Sequence, residues 1–295
     1  MTAVQFPQIF HEQDGLAIRS QKRSRYTVIV VGLLAIVYEV IGILSGRFPD
    51  GAFEWSLPLL TVLATAILLA ELYSSSRLRL EVPWYDARAA AESIKTVFFR
   101  YLVAVEPFSV TLSRIEAEAA LCERIEAVMR GLGKTANGKA LLLESAVLDW
   151  GWSIRAAPLT ERIEFYVSNR IKNQIQWYST KSIALAKTAR RWSMVSVGAA
   201  AISLLLASTS VFIAGLKGYG SLFLQIAIVT YGYVAIRNYR RDARAYEITA
   251  AEIEDAYKGV VSLHDDAVWS HFVDEIEEAF SREHVTWRAS HTGSL

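Results

Sequence analysis

Apolar residues fall in blocks along this chain, separated by charged stretches. Four blocks are long: YTVIVVGLLAIVYEVIGIL (Tyr26–Leu44), LPLLTVLATAILLAELY (Leu57–Tyr73), WSMVSVGAAAISLLLASTSVFIAGL (Trp192–Leu216) and YGSLFLQIAIVTYGYVAI (Tyr219–Ile236). Each has about the 17 to 25 residues that cross roughly 30 Å of hydrocarbon as an α-helix, which satisfies every backbone hydrogen bond of an isolated apolar segment. Short connections, SGRFPDGAFEWS and GLKGYG, join the blocks in pairs. The pattern predicts an all-α membrane protein with two transmembrane hairpins, four spans in all, and a cytoplasmic helical bundle. For the shorter second block, a buried core helix is the alternative.

Between the hairpins the spacing is helical. Glu81 to Arg130 reads as two helices broken at Glu106-Pro107-Phe108, the second opened by a Ser113/Glu116 capping box. GLGKTANGK then reads as a loop. From Thr160, an N-cap after Pro158, one helix is predicted to run without a breaker into the third block. Ile163, Val167, Ile171, Ile175, Tyr178 and Leu185 give it an apolar stripe. Arg170, Gln174, Trp177 and Lys181 form a second stripe, three of them expected in solvent and Trp177 against a partner helix, another subunit or lipid headgroups. Downstream, VWSHFVDEIEEAF alternates acidic and apolar residues, giving a bundle helix with a solvated acidic face.

Charge orients the spans. Arg19, Lys22, Arg23 and Arg25 precede the first block and Arg77 and Arg79 follow the second. Lys187, Arg190 and Arg191 precede the third, and Arg237, Arg240, Arg241 and Arg244 follow the fourth. Only Arg47 and Lys217 occupy the connections, so both termini and the middle are expected in the cytoplasm. The expected organisation is an N-terminal arm (1–25), a first hairpin (26–73), a cytoplasmic helical region (74–191), a second hairpin (192–239) and C-terminal helices (240–295). The first span is not expected to be a cleaved signal peptide, because its polar leader is long and no small-residue cleavage site follows. Asp86-Ala87-Arg88-Ala89 after the first hairpin recurs as Asp242-Ala243-Arg244-Ala245 after the second, either by chance between Ala-rich helices or as a duplication, which would be a parallel repeat because both hairpins begin inside.

Composition agrees with this segregation. Of 295 residues 53% are hydrophobic, yet 31 Lys and Arg face 30 Asp and Glu. The resulting net charge of +1 argues against a nucleic-acid partner, which needs a basic face. The single cysteine, Cys122, lies in a helical pattern and is expected to be a structural thiol.

Candidate chemistry is sparse. GLGKTANGK lacks P-loop spacing and no apolar strand precedes it. His264, Asp265 and His271 do not converge as a helical His pair would, so no metal is expected. No constellation of nucleophile, base or ligand appears, so no catalytic residue, enzyme activity or cofactor is expected. Within the spans, polar residues are the candidates to line a water path: Glu39, costly in lipid unless it faces protein or water, then Gln225 and the face of Ser196, Ser203 and Ser210. A carboxyl packed within a tight bundle is the alternative for Glu39.

Tyr166, Arg170, Asn173-Gln174, Trp177-Tyr178 and Lys181, followed by a hairpin and by EIEEAFSREHVTW, resemble the SLATT domain. PWYDARAAAESIKTVFFRYLVAVEPF, after its own hairpin, resembles a second SLATT subtype. SLATT domains are two-transmembrane effectors associated with SMODS nucleotidyltransferases and SLOG sensors. The resemblance implies an effector of bacterial conflict systems in the cytoplasmic membrane, released by a nucleotide signal or a separate sensor protein and acting by oligomeric pores. Arg170, Gln174, Trp177, Lys181, Asp86, Arg88, Asp242 and Arg244 are then candidates for coupling or self-association. A non-conducting scaffold that recruits a cytoplasmic partner would have the same topology.

Overall fold

A computed structural model describes residues 3–47, 56–78, 82–131, 143–258 and 265–292, and every element among them is helical. The helices are α1 (Gln8–Arg47), α2 (Ser56–Leu78), α3 (Val82–Leu102), α4 (Arg114–Gly131), α5 (Ser145–Arg155), α6 (Leu159–Tyr166), α7 (Lys172–Thr209), α8 (Tyr219–Ile236), α9 (Tyr239–Tyr257) and α10 (Asp266–Thr292). A π-helical turn, Val167–Ile171, joins α6 to α7. The chain forms two units: unit 1 holds Met1–Ser20, Val82–Ser182 and Arg244–Leu295, and unit 2 holds Gln21–Glu81 and Ile183–Ala243.

Unit 1 is packed like a water-soluble helical domain. Its core joins Ile94, Phe98 and Phe99 of α3, Leu121 and Ile125 of α4, and Trp269, Val273, Ile276 and Phe280 of α10. The Ser113/Glu116 capping box forms as the sequence predicts: Glu116 Oε2 accepts from the Ser113 amide at 2.9 Å and from its hydroxyl at 2.7 Å. The expected arm is helical from Gln8, and Phe6 lies 5.8 Å from the rings of both Phe98 and Phe99. Val4, Phe6, Ile9 and Phe10 pack against this core, Ile9 and Phe10 standing three and four positions after Phe6.

The connection after α3 turns through Ala104 at φ 55°, a left-handed conformation that costs a non-glycine residue about 1 kcal/mol. Its carbonyls lie in the core, where Ala104 N reaches Tyr101 O and Trp269 Nε1 reaches Val103 O, and two buried arginines supply further donors. Arg155 donates to Phe108 O at 2.7 Å and Tyr101 O at 3.2 Å, and Arg162 donates to Val103 O at 2.8 Å. Both guanidinium groups thus do the work of backbone partners.

Unit 2 exposes apolar side chains. Leu59, Val197, Leu204, Phe212 and Tyr231 are each at least 69% accessible, a surface that water does not tolerate over such an extent. Among the described residues three helical runs are long and apolar enough to cross a membrane: Gln8–Arg47, Leu159–Thr209 and Ala214–Tyr257. Among the described residues of α2 the apolar stretch is shorter, Pro58–Ala70. At 40 residues, α1 is about 60 Å long, twice the hydrocarbon thickness, so its Arg-rich half extends beyond lipid.

Three predicted boundaries change. The helix expected from Thr160 starts at Leu159, because Pro158 stands just before it, where a missing amide costs nothing. The unbroken helix expected through Asn169 contains the π turn. The third block, expected to be helical through Leu216, ends at Thr209. There the Thr209 and Ser210 hydroxyls donate back to the carbonyls of Leu205 and Ala207, and Gly218 at φ 88° reverses the chain.

Candidate functional site

Unit 1 contains a buried polar cluster built on the segment that leads into α7. Arg162, Tyr166, Arg170, Gln174 and Tyr178 recur every four residues and all are buried. On an ideal α-helix a spacing of four drifts by about 40° per step, so five such positions would spread over about 160°. The π turn adds a residue to one turn and recovers about 100° of that drift, which keeps all five toward the core.

Arg170 is the centre of the cluster. Its Nε donates to Glu277 Oε1 at 2.9 Å and its Nη2 to Glu277 Oε2 at 2.6 Å, a two-pronged contact with α10. Tyr166 donates its phenolic proton to Glu277 Oε1 at 2.8 Å, and Thr96 of α3 donates to Oε2 at 2.7 Å. The guanidinium lies between the rings of Phe99 and Phe280, 5.2 and 4.4 Å from their centres. Glu92 stands 4.0 Å from Arg170 Nη1, beyond hydrogen-bond reach, and is itself 3.0 Å from Arg88 and 3.9 Å from Lys95.

Burial opposes the charge on Arg170, but the Glu277 carboxylate outweighs it and raises the proton affinity above that of free arginine. Burial raises the Tyr166 phenol well above its ordinary range, reinforced by Glu277. Lys95 is pushed down by burial, with Glu92 opposing and Arg170 and Arg88 adding to the fall. The cluster therefore fixes protons and charges in place, and its evident work is to join α3, the π turn and α10.

This arrangement corrects the expected exposure of the second stripe. Arg170 is 1% and Gln174 8% accessible. The physical reason is the π turn, which shifts the phase of α7 by one residue and carries these positions inward. Trp177 is half-buried, 5.4 Å from Tyr246 of α9, with Arg88 5.5 Å above its ring and Lys181, itself exposed, at 5.9 Å. Tyr178 takes the buried place beside it. The acidic face of α10 is likewise solvated at Glu275 and Glu278 but not at Glu277. Sequence reading missed Glu277; the available signal was its position in phase with Val273, Ile276 and Phe280.

The two Asp-Ala-Arg-Ala copies open α3 and α9, and in each the first alanine, Ala87 or Ala243, is buried. Asp86 and Asp242 are half-buried, Arg88 pairs with Glu92, and Arg244 is exposed.

In unit 2 the polar candidates separate. Ser196 donates to Ala227 O at 2.8 Å and Ser203 to Gly220 O at 2.7 Å, so both hydroxyls fasten α7 to α8. Gly220 permits this approach, since a Cβ there would lie 3.2 Å from the Ala207 nitrogen. Ser210 turns back to Ala207 O at 2.7 Å, while Glu39 and Gln225 are half-buried on α1 and α8. Gly32 of α1 meets Val229 of α8, and Arg47 donates to Tyr219 and to Gly215 O, so α1 joins the same packing. His271 lies 3.4 Å from Glu275; His264 and the GLGKTANGK loop beyond Gly131 are outside the described residues.

A packed helical unit with a buried charge cluster, carried with a unit whose apolar helices lie bare, defines an α-helical membrane protein. Its family follows from two matches: residues 7–163 match SMODS and SLOG-associating 2TM effector domain 3, and residues 166–287 match domain 1 of the same description. The chain belongs to the SLATT family of membrane effector domains and carries two of its subtypes in tandem. Each match contains two of the four apolar blocks and one Asp-Ala-Arg-Ala copy. No curated protein and no solved structure matches the chain.

Proposed function

We propose that this protein is a bacterial defence effector that spans the cytoplasmic membrane four times, assembles from several copies and permeabilises the bilayer when a separate nucleotide-signalling or sensor protein acts on unit 1. The carrying observation is the tandem pair of SLATT effector matches, each laid over a hairpin of apolar helices. The placement of arginines supports both termini and unit 1 in the cytoplasm, with the Arg47 and Lys217 connections outside. Assembly is required because two hairpins enclose little water on their own. Glu39 and Gln225, half-buried in one copy, are the groups assigned to face water or protein in the assembly, and the Trp177 stripe is assigned to coupling or self-association. No metal, cofactor or bond-making step enters this mechanism.

The test is release of a trapped dye from proteoliposomes, with and without the product of a neighbouring gene. Leakage that depends on that product is the expected result. An intact vesicle that nevertheless captures the product would make the protein a scaffold.

A further inference from the structure

The π turn and the Arg170–Glu277 pair occupy the same place, and together they set the phase of everything downstream in α7. A π turn is held against the better-bonded α-helix only when surrounding contacts fix it. Here Arg170 lies inside the turn, and its guanidinium is pinned by Glu277 of α10 and by Thr96 of α3. We propose that α10 is a latch: while Glu277 holds Arg170 the π turn persists, and loss of that hold lets Val167–Ile171 relax to α-helix and turns α7 about its axis by nearly one residue, about 100°.

The sequence is written for both phases. With the π turn present, the buried positions that follow Arg170 in this segment are Ile171, Gln174 and Tyr178. Continuing the α-helical phase of Tyr166 instead brings Asn173 and then Trp177 to the core side. The adjacent Trp177-Tyr178 pair supplies an aromatic ring to the α9 contact in either phase, since both rings already lie within 5.5 Å of Tyr246. In the released phase Asn173, now exposed, takes the place of Gln174, and Ile175, now half-buried, takes the exposed place of Gln176. Because Lys172–Thr209 is one helix, the change of phase is passed along it.

The experiment uses the full chain in detergent with Cys122 replaced by Ala, and single cysteines at Asn173, Ile175 and, as a report on unfolding, the buried Ile125. Maleimide labelling is compared in the latched chain and in Glu277→Gln, which removes the carboxylate charge that pins Arg170. The expected result is an about tenfold slowing at residue 173 and an about tenfold acceleration at residue 175, with residue 125 still protected. Deleting Ser168 takes out the extra residue of the turn while leaving both flanks on their faces, so Glu277→Gln combined with that deletion should restore the original pattern. Unchanged rates in Glu277→Gln overturn the proposal. Fast labelling at all three positions without rescue by the deletion overturns it equally, because the pair would then hold the fold and not the phase.

Discussion

At the scale of residues, unit 1 contains two phenols whose environments differ. Tyr166 donates to a carboxylate, whereas the Tyr101 hydroxyl is buried with no hydrogen-bond partner among the described residues. Tyr166→Phe should lower the stability of unit 1 by about 2 kcal/mol, and Tyr101→Phe should leave it unchanged within about 0.5 kcal/mol or raise it. Thermal melting of the purified variants checks both. Burial pushes the Tyr101 phenol up to about 12. Its folded-state value lies above the unfolded one, so its contribution is complete below pH 10, the ordinary phenol value, and is lost as pH rises through about 12. A melting series across that window should fall less steeply in Tyr101→Phe. Removing the Glu277 side chain takes the two-pronged partner from the buried Arg170 charge and leaves it facing Glu92 at 4.0 Å, and Glu277→Ala should cost about 3 to 5 kcal/mol. The sequence displayed the Arg170 stripe but could not show its partner, since Glu277 lies 107 positions away and only the packing of α10 brings it near.

At the scale of elements, the α7–α8 contact depends on small residues. Gly220→Leu would drive a side chain into the Ala207 and Ser203 backbone, while a Cβ at Gly232 of the same helix meets nothing within 4 Å. Gly220→Leu should therefore lower the melting temperature in detergent and Gly232→Leu should not; equal effects would mean that α7 and α8 are not packed in this way. Helix existence was legible in the four apolar blocks, and α8 occupies its predicted span, Tyr219–Ile236. The end of α7 was less so, because Val211, Phe212 and Ile213 are as apolar as the helix they leave. The π turn carries no compositional mark: in Val167–Ile171 the sequence continues a plausible α-helix, and only the demand to bury Arg162 through Tyr178 on one face adds the extra residue. That single residue explains why Arg170 and Gln174, expected in solvent, are buried.

At the scale of the molecule, the division into a packed unit and a bare apolar one was legible from blocky hydropathy, and the tandem arrangement from the repeated Asp-Ala-Arg-Ala and the two SLATT resemblances. The docking of the N-terminal segment was not, because Val4, Phe6, Ile9 and Phe10 give no indication of their acceptor. For function, Glu39→Leu should leave insertion intact and change ion flux in a validated conductance assay; unchanged flux would remove Glu39 from any water path. The most direct test of the account is a labelling map in intact cells with a membrane-impermeant maleimide, using single cysteines at Gly215, in the turn between α7 and α8, and at Ile115, on the surface of α4. The expected result is labelling of residue 215 from outside and of residue 115 only after the membrane is opened. Labelling of residue 115 in intact cells, or recovery of the chain in the soluble fraction, would contradict a cytoplasmic unit carried by lipid-embedded helices.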